Sequence, residues 1–135
     1  MRDRAPALVR LVRLPAGLTV PGDVLLGAAW GGDGEPPLAV ARVALGSSLL
    51  YLGGMALNDW ADRERDARER PRRPIPAGEV SPAMALGSAI ALTGCAIAVA
   101  GAAGGARRLR ATVALAGTVW LYDLKAKDTP AGPWT

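Results

Sequence analysis

Asn58-Asp59-Trp60-Ala61-Asp62-Arg63-Glu64-Arg65-Asp66, continued by Arg73-Pro74-Ile75-Pro76-Ala77-Gly78 and closing at Ser81, holds the densest charge in the chain. The residues before it, Pro37 to Leu57, are apolar apart from Arg42 and contain no proline after Pro37. Nothing there stops a helix, so one helix is expected to run through Leu57 and carry its last turns into the charged stretch at a membrane surface. At about 100° per residue, Asn58, Asp62 and Asp66 fall within about 80° of one another and Asp59 within about 100°, so one stripe carries all four.

Three carboxylates on one face repel each other and favour a cation. Oxygen ligands without His or Cys point to Mg²⁺, which keeps a few carboxylates, some waters and a substrate's phosphate oxygens. A phosphate-bearing ligand is therefore the natural partner. The alternative is a solvated charged loop beside a membrane helix. The regular carboxylate spacing, Asn58 on the same stripe and the proline-glycine turn that follows favour the metal.

Half of the residues are apolar, Gly and Ala are abundant, and Phe and His are absent. Long apolar blocks separated by Arg-rich patches read as an integral membrane protein with several spans, an all-α helical bundle. A sequence pI near 10 could suggest nucleic acid. The arginines instead bracket hydrophobic segments, and aromatic stacking residues are few, so they read as topology signals and no nucleic-acid partner is expected. Without His, His-dependent acid–base catalysis and His-ligated metals are excluded. Cys95 lies alone in an apolar run and is expected to pack there, with no disulfide. A signal peptide fits poorly, because arginines continue to Arg13 and the apolar stretch after them contains Pro15, Pro21 and Asp23.

Four spans are expected. Arg2, Arg4, Arg10 and Arg13 form a basic arm, and Leu14 to Trp30 is a first, interrupted span in which Asp23 either faces a wet cavity or caps a break in the helix. Gly31 to Pro36 is a polar turn without positive charge. The second span is the helix that leads into the carboxylates, and Tyr51 and Met55 share its acidic face. Tyr51 lies about 10 Å below Asn58 along the axis, where it could meet the oily tail of a ligand or pack between helices. Ser81-Pro82 starts the third span as N-cap and first helical residue, and Pro82 to Ala106 is free of charge. Arg107, Arg108 and Arg110 precede a shorter fourth span, Ala111 to Leu121, which needs flanking residues to cross a bilayer. With the N-terminus in the cytoplasm of a multi-pass cell-membrane protein, the inside segments hold twelve Arg or Lys and the outside turns three, with Arg42 inside a span. Arg107, Arg108 and Arg110 run against that bias.

Asn58-Asp59-x-x-Asp62-x-x-x-Asp66, followed by Arg73-Pro74-Ile75-Pro76-Ala77-Gly78-x-Val80-Ser81, closely resembles the first aspartate-rich motif and following loop of the UbiA superfamily of intramembrane prenyltransferases. The resemblance implies a single membrane domain over 1–135, with 58–81 as its cytoplasmic motif and loop, corresponding to the N-terminal part of an all-helical fold of about nine spans. It also implies Mg²⁺-dependent transfer of a prenyl group from a prenyl diphosphate to a small-molecule acceptor, often aromatic, within the lipid membrane. By position, Asn58, Asp59, Asp62 and Asp66 would hold Mg²⁺ and diphosphate. Asp62 and Asp66, with Arg73 nearby, would stabilise the leaving group and so form the catalytic pair. Arg13, Arg73 and Lys127 would be cationic contacts of the diphosphate, and Tyr122 matches a tyrosine of the family's fourth helix. The family spaces that tyrosine and lysine by four residues, whereas Lys127 is five from Tyr122 and Lys125 three. The tail from Asp123 to Pro133 resembles an EboC-like subgroup.

The family carries a second aspartate-rich motif in its C-terminal half, beyond the roughly four spans expected here. The competing expectations are a truncated, non-catalytic membrane fragment that lacks its C-terminal half, and a module that binds prenyl phosphates without turning them over.

Overall fold

The computed structural model describes residues 4–31, 34, 36–102 and 105–125, and among them there is no β-strand. Seven helices follow in order: α1 (Arg4–Leu11), α2 (Leu14–Gly17), α3 (Val20–Gly31), α4 (Pro37–Ala61), α5 (Arg63–Glu69), α6 (Pro82–Ala102) and α7 (Ala106–Leu124). The all-α class expected from the apolar blocks is the one observed. Two helices, α4 and α6, are long and apolar enough to cross a membrane, with only 17% and 28% of their most apolar stretches buried inside the molecule. A soluble core helix would be mostly buried, so this outward apolar surface suits lipid or further helices.

The packing of α6 along α4 relies on glycine. A Cβ on Gly53 would lie 3.1 Å from Thr93 Oγ1, 3.2 Å from Leu92 Cβ and 3.3 Å from the Ala89 carbonyl oxygen. One Cβ on Gly46 would approach Val99 and Ala96. The rising number on one helix against the falling number on the other makes the pair antiparallel, as a connection through one end of the bundle requires. α7 closes on the same helix, where a Cβ on Gly54 would meet Val119 at 3.3 Å. It also ties to α6 by a hydrogen bond from Trp120 Nε1 to Thr93 Oγ1 at 3.3 Å. Small residues let membrane helices approach closely, and buried polar side chains then bond across the gap.

The expected first span, Leu14 to Trp30, is not continuous. Arg13 adopts a left-handed conformation (φ 51°, ψ 46°) and ends the helical path of α1, and α2 is a single short turn with Pro15 near its start. α3 then begins afresh with Pro21 in its first turn, where a missing N–H costs nothing. At 12 residues α3 is about 18 Å long, short of a bilayer's hydrocarbon core. Asp23 lies exposed in that first turn, next to the break between α2 and α3. The basic arm is likewise more than a tail, because α1 buries Ala7 and Leu11 against Leu57, Ile75 and Val80.

The third and fourth segments match their signals more closely. Ser81 Oγ accepts from the Met84 N–H at 3.1 Å and caps α6 as expected. α7 starts earlier than the apolar block, so Arg107, Arg108 and Arg110 belong to its first turns. Cys95 is a correction: it lies on an exposed face of α6 and not in the packing, because apolar sequence in a membrane helix does not distinguish lipid-facing from buried positions.

The glycine contacts set a stability test. Gly53→Val is expected to cost about 1–3 kcal/mol by overpacking, seen as a lower unfolding temperature in detergent. Gly87→Ala, where an added Cβ meets nothing within 4 Å, is expected to leave it unchanged or raise it.

Candidate functional site

The charged stretch begins as the last turn of α4. Asp62 (φ −87°, ψ 1°) breaks the helix, yet its N–H still bonds the Asn58 carbonyl at 2.9 Å and its own carbonyl accepts from Asp66 at 2.8 Å. α4 and α5 therefore form a nearly continuous rod bent at Asp62. α5 ends at Glu69, ahead of Pro71. The following loop folds back under the rod, with the N–H groups of Glu79 and Val80 both reaching the Pro74 carbonyl. Gly78 (φ 71°) supplies the left-handed residue of that turn, a conformation glycine adopts without strain. Pro74, Ile75 and Val80 are buried, and Arg10 of α1 forms an ion pair with Glu79, which holds the loop against the N-terminal helix.

This folding brings Arg73 beneath two carboxylates. Its Nη1 donates to Asp59 Oδ1 at 2.6 Å and to Asp66 Oδ2 at 3.1 Å. Asp59 and Asp66 are nearly inaccessible, 4% and 2% exposed, and seven residues, about two helical turns, apart along the bent rod. Arg13 Nη2 lies 3.6 Å from Asp59 and Arg70 Nη1 3.9 Å from Asp66, so three guanidinium groups surround two buried carboxylates. Two anions this close would otherwise repel strongly, and buried charge persists only when paired and hydrogen-bonded.

The remaining candidates separate. Asn58 Nδ2 donates to Asp123 Oδ1 at 3.0 Å, which joins the end of α4 to the end of α7. Asp62 lies at the bend and faces Arg65 at 3.6 Å. Among the described residues no three or more acidic, Cys or His side chains stand close enough together to form a ready metal cluster. Tyr51, half-buried beside Gly17, lines an apolar cavity of about 290 Å³ with Val20, Gly54, Met55 and Val119. Packing and cavity lining thus coincide at this residue. Tyr122 is exposed near the end of α7. Lys127 and the tail whose spacing suggested a subgroup lie outside the described residues, apart from Asp123, Leu124 and Lys125.

Asp123 is the residue that sequence reasoning passed over. It is 6% exposed and reaches Asn58 from the last turn of α7. A carboxylate at a helix C-terminus opposes the helix dipole, and that mismatch was a signal that it needed a partner. Trp60 and Arg63 form a second, outer feature: the guanidinium lies 4.5 Å over the indole and donates to the Trp60 carbonyl at 2.9 Å. Such an aromatic and cationic pair suits a membrane–water interface.

The pairing predicts unequal losses. Arg73→Ala leaves two buried carboxylates without their shared donor and is expected to cost about 3–5 kcal/mol. Arg13→Ala, whose side chain is 41% exposed, is expected to cost no more than about 1 kcal/mol. Thermal unfolding of both variants in the same detergent checks the difference.

The sequence pattern of the UbiA prenyltransferase family matches residues 22–134. A digeranylgeranylglyceryl phosphate synthase of Natronomonas pharaonis is 36% identical over 95 residues, covering 70% of this chain and 34% of that protein. A 4-hydroxybenzoate octaprenyltransferase of Ralstonia nicotianae is 38% identical over 98 residues, covering 67% and 34%. A protoheme IX farnesyltransferase of Leptospira biflexa serovar Patoc is 44% identical over 66 residues, covering 47% and 23%. The chain thus spans about a third or less of the length of these relatives. No solved structure matches. With the family pattern covering most of its residues, the chain belongs to the UbiA prenyltransferase family.

Proposed function

We propose that this chain forms the diphosphate-binding part of an intramembrane prenyltransferase, which moves a prenyl group from a prenyl diphosphate to a small-molecule acceptor. The observation that carries this reading is the cluster at the α4–α5 bend. Asp59, Asp66 and Arg73 are locked together, Asp62 stands at the break, Arg13 lies alongside, and an apolar cavity lined by Tyr51 opens deeper along α4. The three relatives carry names of prenyl-transferring or related lipid-synthesising enzymes that act on different acceptors, so the shared element is the prenyl donor. The acceptor varies among them.

In the reaction the bond between the allylic carbon and the diphosphate oxygen breaks, and the electron pair leaves with the diphosphate. The acceptor's nucleophile then forms the new bond to carbon and gives up a proton. Catalysis requires the leaving group's growing charge to be stabilised more in the transition state than in the ground state. Arg73 and Arg13 supply positive charge beside the carboxylates, and the apolar walls near Tyr51, Met55 and Val119 would face the prenyl chain and the allylic cation. Tyr122 and Lys127 are proposed as further contacts of the donor.

The donor set fits Mg²⁺ by chemistry, since it offers carboxylate and amide oxygens only, and Mg²⁺ needs just one or two carboxylates alongside phosphate oxygens. Asp62 and Asp66 would hold it, with Asn58 and Asp59 supporting the same stripe. When bound, the ion supplies Lewis-acid stabilisation of the departing diphosphate. The basic arm, the acidic stripe and the tail are proposed to lie on the cytoplasmic side of the cell membrane, following the excess of Arg and Lys there.

In the full-length protein, the pair Asp62→Ala and Asp66→Ala is expected to abolish Mg²⁺-dependent binding of a prenyl diphosphate, measured by titration. Unchanged binding would overturn the proposal. Binding by the unaltered protein without release of diphosphate in a turnover assay would reassign it to prenyl-phosphate binding without transfer.

A further inference from the structure

Arg107, Arg108 and Arg110 run against the charge bias of the sequence, and the proposed reaction gives them no work. Their place in the structure does. Arg108 sits in the first turn of α7, half-buried, where Gly105 provides no side-chain cap. Cations at a helix N-terminus oppose the helix dipole, and together they concentrate positive potential at one point. Arg42 of α4, also half-buried, faces the same cavity of about 200 Å³, whose polar lining is completed by Ser47 and Thr112. Arg42 makes no ion pair or side-chain hydrogen bond among the described residues. It lies 17 residues before Asp59, about 25 Å away along α4, so this site is separate from the carboxylate cluster.

A guanidinium inside a membrane domain is costly unless it faces a counter-charge or water, and the charge of Arg42, unpaired among the described residues, therefore calls for one. Each guanidinium carries five N–H donors in a planar fork whose geometry suits phosphate. The apolar half of a ligand site adjoins them. Arg108 also lines a second cavity of about 320 Å³, otherwise walled by residues such as Val24, Ala28, Val40 and Val43 of α3 and α4. Ala28 and Val40 border in turn an apolar groove of about 760 Å³. Cationic donors beside two apolar recesses match the shape of an amphiphile with an anionic phosphate head and two chains.

We propose that Arg42 and Arg108 bind the phosphate of an anionic phospholipid at the end of the bundle opposite the carboxylates, with its chains along α3 and α4. The test uses the full-length protein in neutral detergent, titrated with a short-chain phosphatidylglycerol, with phosphatidylcholine of the same chain length, and with inorganic phosphate. Phosphatidylglycerol is expected to raise the unfolding temperature in a saturable manner and phosphatidylcholine is not. A matching rise with inorganic phosphate would assign recognition to the phosphate group alone, and no such rise would assign it to the lipid. Either supports the site.

The pair Arg42→Gln and Arg108→Gln is expected to weaken the phosphatidylglycerol response on the order of tenfold or more. The pair Arg107→Gln and Arg110→Gln removes the same charge from exposed positions and is expected to retain it. Should the first pair not fold, Ala111→Trp at the exposed rim blocks the cavity without touching either charge, and is expected to lose the response. Equal responses to the two lipids, equal loss in both arginine pairs, or a full response in Ala111→Trp would overturn the proposal.

Discussion

Arg73 donating to both Asp59 and Asp66 is the contact on which this end of the molecule is built. Two carboxylates that are almost fully buried cannot remain charged side by side without a cation between them. The cation arrives on a loop, so the loop must fold back. That folding is fixed by the left-handed Gly78, by the paired N–H groups on the Pro74 carbonyl, and by Ile75 and Val80 buried against α1 and α4. The charge pairing and the apolar packing beneath it therefore impose one loop conformation. Asp59, Asp66 and Arg73 are each paired within this network, the condition under which buried polar groups rigidify their surroundings.

The same constraint accounts for the interrupted N-terminus. A straight first span would carry Arg13 away from α4, whereas the break after α1 leaves Arg13 within reach of Asp59. A left-handed backbone at a residue other than glycine is uncommon, and surrounding contacts have to enforce it. Those contacts are on either side of it: Leu11 is fully buried in the core before the break, and Gly17 packs against Tyr51 and Leu52 just after it. Glycine at position 17 leaves the space that α4 occupies.

Much of this was legible beforehand because it rests on local chemistry. The absence of proline between Leu38 and Leu57 gave α4, Ser81-Pro82 gave the start of α6, and apolar blocks gave the helical class. The rotation of about 100° per residue puts Asn58, Asp62, Asp66 and Asp59 near one edge, but it cannot divide them among partners. Which carboxylate turns inward depends on where Arg73 and Asp123 arrive, and both come from distant sequence through tertiary folding. The break at Arg13 was illegible for the same reason, since nothing local demands a left-handed arginine. Cys95 shows the converse limit. In a membrane helix, hydrophobicity marks both the buried face and the lipid face, so composition alone cannot assign a side.

Arg73 and Asp66 act as one unit, joined by a hydrogen bond of 3.1 Å. A double-mutant cycle of Arg73→Gln and Asp66→Asn, read as free energies of unfolding in one detergent, measures that directly. The predicted outcome is a coupling of about 1–3 kcal/mol, with the double variant less destabilised than the two singles together. Effects that add to within about 0.5 kcal/mol would mean that the two side chains are independent, and would contradict it.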